Sequence, residues 1–140
     1  MPEVSESTTS IVLSELDAEV RAAVAATREK VAALHAELPR WGLVVWTAGN
    51  VSERVVLTRD GQTVATGLFV IKPSGVSYDE LTADTMVVCT LDGDKIEDGT
   101  PASLTPSSDT AAHAYVYRHM ERVGGVVHTH STYATAWAAR

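Results

Sequence analysis

The sequence lacks the features that build disulfide frameworks, membrane spans or nucleic-acid surfaces. It contains a single cysteine, so no disulfide can form within the chain, and the apolar run around Cys89 predicts a core position. No apolar stretch is long enough to cross a bilayer and no leader pattern opens the chain, so we expect a cytoplasmic protein. Only 11 Lys and Arg stand against 18 Asp and Glu, and the net charge of −7 argues against nucleic acid or an anionic membrane as a partner.

The remaining composition, with 45% hydrophobic residues in 140, is that of one α/β domain. Residues 1–12 are rich in Ser, Thr and Glu and are predicted to be a disordered tail, and residues 13–140 are predicted to form the domain. Apolar positions at helical spacing predict a helix over residues 14–38 that packs on a sheet. Runs of strand-forming residues predict strands near residues 43–47, 54–58, 63–71, 86–91 and 125–130. The Asp-Gly pairs at residues 60–61 and 92–93 indicate hairpin turns.

Two histidines lie in the apolar strand near the end of the chain. His128 and His130 are separated by one residue, so a strand would place them on the same face. Two neutral imidazoles on one face can bind a divalent transition metal, with Asp109 as a third ligand or as a partner behind the ligands. The alternative is a pair of polar residues on a solvated face, but an unpartnered imidazole in an apolar strand would be costly.

A helix is predicted to begin at Asp109, directly after Ser107 and Ser108. The first N–H groups of a helix lack partners within it, so together with two hydroxyls they suit an anion such as phosphate. The same residues also suit ordinary helix capping, which is compatible with a ligand role.

Two further segments end strand-like runs with small polar residues. Gly49 and Asn50 follow the run at residues 43–46, and Ser74 and Gly75 follow the run at residues 67–70. Such residues leave backbone N–H groups free and let the main chain approach an oxyanion, and Lys72 could add a charged contact to phosphate. Each segment alone would be an ordinary turn.

Taken together these motifs resemble the class II aldolase and adducin family, and within it the L-ribulose-5-phosphate 4-epimerases. The resemblance covers about residues 40–140 and rests on five blocks in the family's order, which are residues 49–52, 69–76, 81–88, 106–113 and 124–131. It implies a three-layer α/β/α sandwich with a mainly antiparallel, mixed sheet. It further implies a homo-oligomer, usually a tetramer, with active sites between subunits.

The resemblance also implies site roles. It makes Asp109, His128 and His130 metal-site residues, with Zn²⁺ as the expected ion, and leaves His113 to orient or pack. The residues expected to hold a phosphorylated sugar are Gly49, Asn50, Lys72, Ser74, Gly75, Ser107 and Ser108. The implied reaction interconverts L-ribulose 5-phosphate and D-xylulose 5-phosphate by retro-aldol cleavage and re-addition. His35 and His119, outside these motifs, are expected to face solvent.

Two alternatives stay open. Aldolases of the family carry Glu where this chain has Asp109, which favours the epimerase over an aldolase or a methylthioribulose-phosphate dehydratase. Family members run to more than 200 residues, and their third histidine ligand and their catalytic Asp and Tyr would lie beyond residue 140. We therefore expect the chain to be C-terminally truncated, and a non-catalytic, adducin-like interaction module is the alternative from another functional class.

Overall fold

The computed structural model describes residues 10–140 and shows an α/β fold built on one four-stranded sheet. The helices and strands are α1 (Ala18–Arg40), β1 (Asn50–Arg59), β2 (Gln62–Ile71), β3 (Val87–Thr90), α2 (Thr110–His119), β4 (Gly125–His128) and α3 (Thr132–Ala138). The strand order is β3-β2-β1-β4, and each of the three pairings is antiparallel. Short 3₁₀ turns occupy Leu13–Glu15, Tyr78–Glu80 and Ala83–Thr85.

The long hairpin between β1 and β2 forms at the predicted Asp-Gly pair. Asp60 and Gly61 both have positive φ, 52° and 74°, as a two-residue primed turn requires, and Arg59 pairs with Gln62 across it. A register shift next to Val55 marks a bulge further along the pair. Local turn chemistry therefore fixes the register of the two longest strands.

Helices cover both faces of the sheet. Side chains alternate along β2, so Leu68 and Val70 pack against α1 while Phe69 and Ile71 pack against α2. The α2 layer includes Tyr117, and the single cysteine is buried in the same layer as predicted. The expected α/β/α sandwich with a mainly antiparallel sheet is confirmed.

The structure differs from the sequence prediction before β1 and at the end of β4, which stops at His128, two residues before the predicted end. The strand predicted at residues 43–47 is absent, because positive φ at Gly42 and at Trp46 breaks an extended run. Residues 41–49 instead form turns, and the Leu43 carbonyl accepts the His130 N–H at 2.7 Å. The predicted tail falls on residues 1–9, which lie outside the described residues, and on residues 10–12. The carbonyl of Ile11 accepts the Glu97 N–H, so residue 11 contacts the rest of the domain.

His35 was expected to face solvent, and this expectation is wrong. Its side chain is fully buried between α1 and β1, with Nδ1 2.8 Å from the Val31 carbonyl and Nε2 2.9 Å from the Val51 N–H. The ring therefore donates to the helix and accepts from the strand, and burial lowers its pKa to about 4. His119 is exposed, as expected. None of the helices within residues 10–140 is both long and apolar enough to cross a membrane.

Candidate functional site

All ten predicted site residues line one cavity of about 430 Å³. They come from four places in the fold: the turn before β1, the loop after β2, the segment before α2, and the end of β4. The members are Gly49, Asn50, Lys72, Ser74, Gly75, Ser107, Ser108, Asp109, His128 and His130, joined by Thr47 and Ala48. Residues up to 81 positions apart in sequence are thus brought together at one end of the strands, while their individual roles stay predictions.

Asp109 forms the polar centre of the cavity. Its Oδ2 atom accepts a hydrogen bond from Asn50 Nδ2 at 2.7 Å and lies 2.7 Å from His128 Nδ1. Burial by itself raises the pKa of this carboxyl, but the hydrogen bonds from Asn50 and His128 outweigh burial and hold the pKa below its usual value. The ionised carboxylate requires a proton on His128 Nδ1, which leaves Nε2 of a neutral ring as a lone-pair donor.

The donor set fits part of a metal site. The rings of His128 and His130 lie side by side, with centroids 4.8 Å apart. Across residues 10–140, however, no three His, Cys, Asp or Glu side chains are placed to hold one ion together. Asp109 is committed to Nδ1 of His128, so the geometry favours the predicted alternative in which it orients a ligand over direct ligation. Two imidazoles are therefore the metal ligands that this part of the chain could supply.

Three backbone donors at the other end of the cavity are free. Among residues 10–140, the N–H groups of Gly49, Gly75 and Ser108 donate to no protein acceptor. The Ser107 hydroxyl accepts from Asn50 Nδ2 at 3.0 Å and from the Asp109 N–H at 3.3 Å, and neither contact uses its own O–H. Ser107 thus organises the segment before α2, and its O–H and the free N–H groups are donors available to an anion.

Lys72 adds a buried positive charge to this end. The residue is 2% exposed, and burial lowers its pKa. Its ammonium donates to the Pro73 carbonyl at 3.2 Å, and within the described chain it forms no ion pair with a carboxylate. A buried cation without a counter-ion is costly, so the cavity is electrostatically prepared for an anionic ligand.

Asn50 leaves one polar atom without a partner. Both of its hydrogen bonds use Nδ2, while Oδ1 is buried and receives no hydrogen bond from the described residues. Exchanging the two atoms would place Oδ1 against the Asp109 carboxylate, so the present orientation is the favourable one. Oδ1 is enclosed by the protein, so its missing hydrogen bond is a cost to the fold and not a contact offered to a ligand.

Gly49 is required by the packing at the cavity wall. Its φ is +82°, and a Cβ atom there would lie 2.4 Å from Val44 Cγ1 and 2.9 Å from the His128 carbonyl oxygen. No other residue fits without moving the turn or β4. The glycine therefore allows the anion end and the histidine end to approach each other closely.

A buried hydrogen-bond cluster behind the cavity was not predicted as a unit. Ser52 Oγ lies 2.6 Å from His113 Nδ1 and 2.6 Å from the Tyr117 hydroxyl, so His113 packs rather than facing the cavity. Ser52 is two residues beyond Asn50 on β1, and this same-face spacing was a usable signal. Tyr78, which contacts the Gly49 turn, lies outside every sequence pattern that indicated the site.

Comparison with known proteins identifies the family of this chain. Residues 29–140 match the model of the class II aldolase and adducin N-terminal domain. The chain belongs to the class II aldolase and adducin family. A curated relative, the L-ribulose-5-phosphate 4-epimerase UlaF of Salmonella paratyphi C (strain RKS4594), is 48% identical over 111 residues. That match takes in 79% of this chain and 43% of the relative, so the chain spans less than half of the relative's length.

Solved structures of family members share the fold. YgbL from Klebsiella pneumoniae superposes with a TM-score of 0.65 at 29% identity, over 81% of this chain and 48% of YgbL. The L-fuculose 1-phosphate aldolase of Glaciozyma antarctica PI12 gives 0.69 at 20% identity, over 88% of this chain and 47% of that enzyme. The second likeness supports the fold alone. In both comparisons the sandwich described here is about half of a larger chain.

Proposed function

We propose that this chain contributes to a metal-dependent epimerase that interconverts L-ribulose 5-phosphate and D-xylulose 5-phosphate. The observation that carries the proposal is the cavity's set of unmatched groups. Lys72 has no counter-ion and three N–H groups have no acceptor among residues 10–140. A phosphorylated ligand supplies the anion that Lys72 and the N–H groups need.

We infer the substrate orientation from the chemistry of these groups. The phosphate would bind Lys72 and the free N–H groups of Gly49, Gly75 and Ser108. Asn50 donates to Asp109, and Asp109 contacts His128, so these two residues connect the phosphate site to the histidines. The reacting carbons would then lie towards His128 and His130.

The histidine pair would hold a divalent ion, and Zn²⁺ is the ion we expect with imidazole ligands. Such an ion supplies Lewis-acid polarisation of the sugar carbonyl when bound. Asp109 keeps the His128 proton on Nδ1 and directs Nε2 away from itself. The proposal requires at least one further ligand and the acid/base groups from outside residues 10–140, from additional sequence or from a second copy in a homo-oligomer.

Asp109 also supports epimerisation over net cleavage. Its short side chain is held beside Asn50 and His128 by two contacts of Oδ2, whereas the longer Glu expected in the aldolases could extend further towards a substrate hydroxyl. The reaction breaks the C3–C4 bond and reforms it on the opposite face, so no fragment should accumulate. Release of two carbonyl fragments would instead assign an aldolase, and release of water a dehydratase.

The test is a coupled assay for D-xylulose 5-phosphate formed from L-ribulose 5-phosphate, run with measured zinc content on the protein. We expect turnover with bound zinc when those further groups are present, and loss of both in His128→Ala and His130→Ala. The matched control is His119→Ala on the exposed side of α2, which should change neither. Unchanged turnover in His128→Ala would contradict the proposed site, and a wild-type protein with neither zinc nor turnover would favour a non-catalytic, adducin-like role.

A further inference from the structure

Tyr78 does not line the cavity, yet it contacts two segments that do. It begins the 3₁₀ turn Tyr78–Glu80, a few residues after the loop that carries Lys72. Its hydroxyl lies 2.8 Å from the Ala48 carbonyl oxygen and 3.0 Å from the Gly49 carbonyl oxygen. The Lys72 ammonium lies 5.3 Å from the centroid of its ring. One side chain therefore contacts both the backbone and the cation of the anion end.

The hydroxyl fixes the orientation of a free donor. Burial raises the pKa of Tyr78 to about 12, so the phenol keeps its proton and shares it between the two carbonyls. In a trans peptide the C=O and the following N–H point in opposite directions. Holding the Ala48 carbonyl towards Tyr78 therefore turns the Gly49 N–H, which has no acceptor among the described residues, to the opposite side.

The ring stabilises the cation without neutralising it. An aromatic face attracts an ammonium group electrostatically, and the attraction is stronger where water is excluded, as around the buried Lys72. A carboxylate at this position would pair with Lys72 and compete with an incoming anion. The face of Tyr78 keeps the ammonium near the Pro73 carbonyl while its full charge remains available.

We propose that Tyr78 is a positioning residue for the anion end of the cavity, where its hydroxyl sets the Gly49 peptide and its ring holds the Lys72 ammonium. This inference rests on the anion site of the proposed function, but not on the reaction. The two contributions are separable, because Tyr78→Phe removes only the hydroxyl and Tyr78→Leu removes the hydroxyl and the aromatic face.

The experiment measures the Kd of inorganic phosphate by calorimetry for the wild type and both variants. Losing the hydroxyl should weaken binding roughly threefold to tenfold, the equivalent of one net hydrogen bond. Losing the ring face should weaken it by a further roughly threefold to tenfold. Tyr115→Phe, at an exposed tyrosine of α2, is the matched control and should bind phosphate as the wild type does.

A positioning role is separated from a structural one by repeating both variants with Lys72→Met. Without the ammonium, the difference between Tyr78→Phe and Tyr78→Leu should disappear, whereas the loss caused by removing the hydroxyl should persist. A side chain that only packs would weaken binding by the same factor in both backgrounds. Thermal unfolding of each variant shows whether it folds at the assay temperature.

Each possible result supports or contradicts a specific part of the proposal. Wild-type affinity in Tyr78→Phe would overturn the role of the hydroxyl, and an equal ring effect in both Lys72 backgrounds would overturn the role of the ring. A wild type that binds no phosphate would overturn the anion site and this inference together. Phosphate binding that depends on Tyr78 without formation of D-xylulose 5-phosphate would leave Tyr78 in place and contradict the proposed reaction alone.

Discussion

Asp109 Oδ2 lies 2.7 Å from His128 Nδ1, and this contact joins the segment before α2 to the end of β4. The carboxylate selects the tautomer in which His128 Nε2 carries the lone pair. In the proposed metal site Asp109 would act on the ion through the His128 ring, so its removal should have a graded effect on zinc binding.

Asp109→Asn should weaken zinc binding by roughly 10- to 100-fold, because the amide no longer selects the tautomer or strengthens the imidazole as a ligand. His128→Ala should remove the site altogether. The measurement is zinc affinity by competition with a chromophoric chelator, with Asp92→Asn in an exposed turn as the control. Loss in Asp109→Ala as complete as in His128→Ala would instead make the aspartate a direct ligand.

Lys72→Met should stabilise the ligand-free protein by on the order of 1–3 kcal/mol, because it removes a buried charge that has no counter-ion in the described structure. The same variant should show a smaller rise in melting temperature with phosphate than the wild type. Thermal unfolding with and without phosphate measures both effects. Lys30→Met, at an exposed Lys30–Glu53 pair, is the control, and a Lys72 variant stabilised by phosphate as much as the wild type would contradict the charge assignment.

His35 should make stability depend on pH in mildly acidic solution. Its pKa is about 4 in the folded protein and about 6.5 when unfolded, so between these values the unfolded chain binds more protons. The stabilisation is complete above about pH 6.5 and is lost as the pH falls towards 4, by about 3 kcal/mol. Burial also lowers the pKa of His113, which acts in the same direction.

Denaturant unfolding between pH 7 and 4 should therefore show a shallower decline for His35→Gln than for the wild type. The variant starts from a lower stability, because glutamine cannot reproduce both hydrogen bonds of the ring, so the slope is compared and not the absolute value. His119→Gln is the exposed control. Parallel curves for His35→Gln and the wild type would show that the ring titrates normally in the fold.

Gly49→Ala should cost roughly 2–4 kcal/mol, from left-handed backbone strain and from the clash with Val44 and the His128 carbonyl. Gly67→Ala is the matched control, since Gly67 has a similar φ of +77° but nothing within 4 Å of an added Cβ. Its cost should be about 1–2 kcal/mol. Chemical denaturation of both variants makes the comparison, and equal costs would show that the turn relaxes freely around position 49.

Much of the site could be read from the sequence because its residues sit at the ends of recognisable elements. Ser107 to Asp109 directly precede α2, so local pattern alone predicted polar groups at that boundary, whereas the strand predicted through residue 130 ends at His128. The prediction of a strand at residues 43–47 was wrong, because the apolar residues of this run do not indicate that Trp46 adopts a left-handed conformation. The turn is held by a distant contact, from the His130 N–H to the Leu43 carbonyl.

His35 shows that helical periodicity does not predict the burial of every polar residue on a helix. A polar residue on a helix is expected to face water, and the sequence does not show that β1 presents the Val51 N–H to it. Tyr78 is similar, since its importance comes from two carbonyls 29 and 30 residues away. Contacts of this kind depend on how elements pack, which residue spacing along one element does not contain.

The sequence by itself determined the family, the hairpin at Asp60 and Gly61, and the residue types available for phosphate and metal, because these depend on local backbone preference and on side-chain chemistry. Only the tertiary structure decided that Asp109 contacts His128, and that within residues 10–140 Lys72 is buried without a counter-ion and Asn50 Oδ1 lacks a hydrogen-bond donor. These are properties of groups brought together by the sheet, since burial and pairing arise only when distant elements exclude water from the space between them.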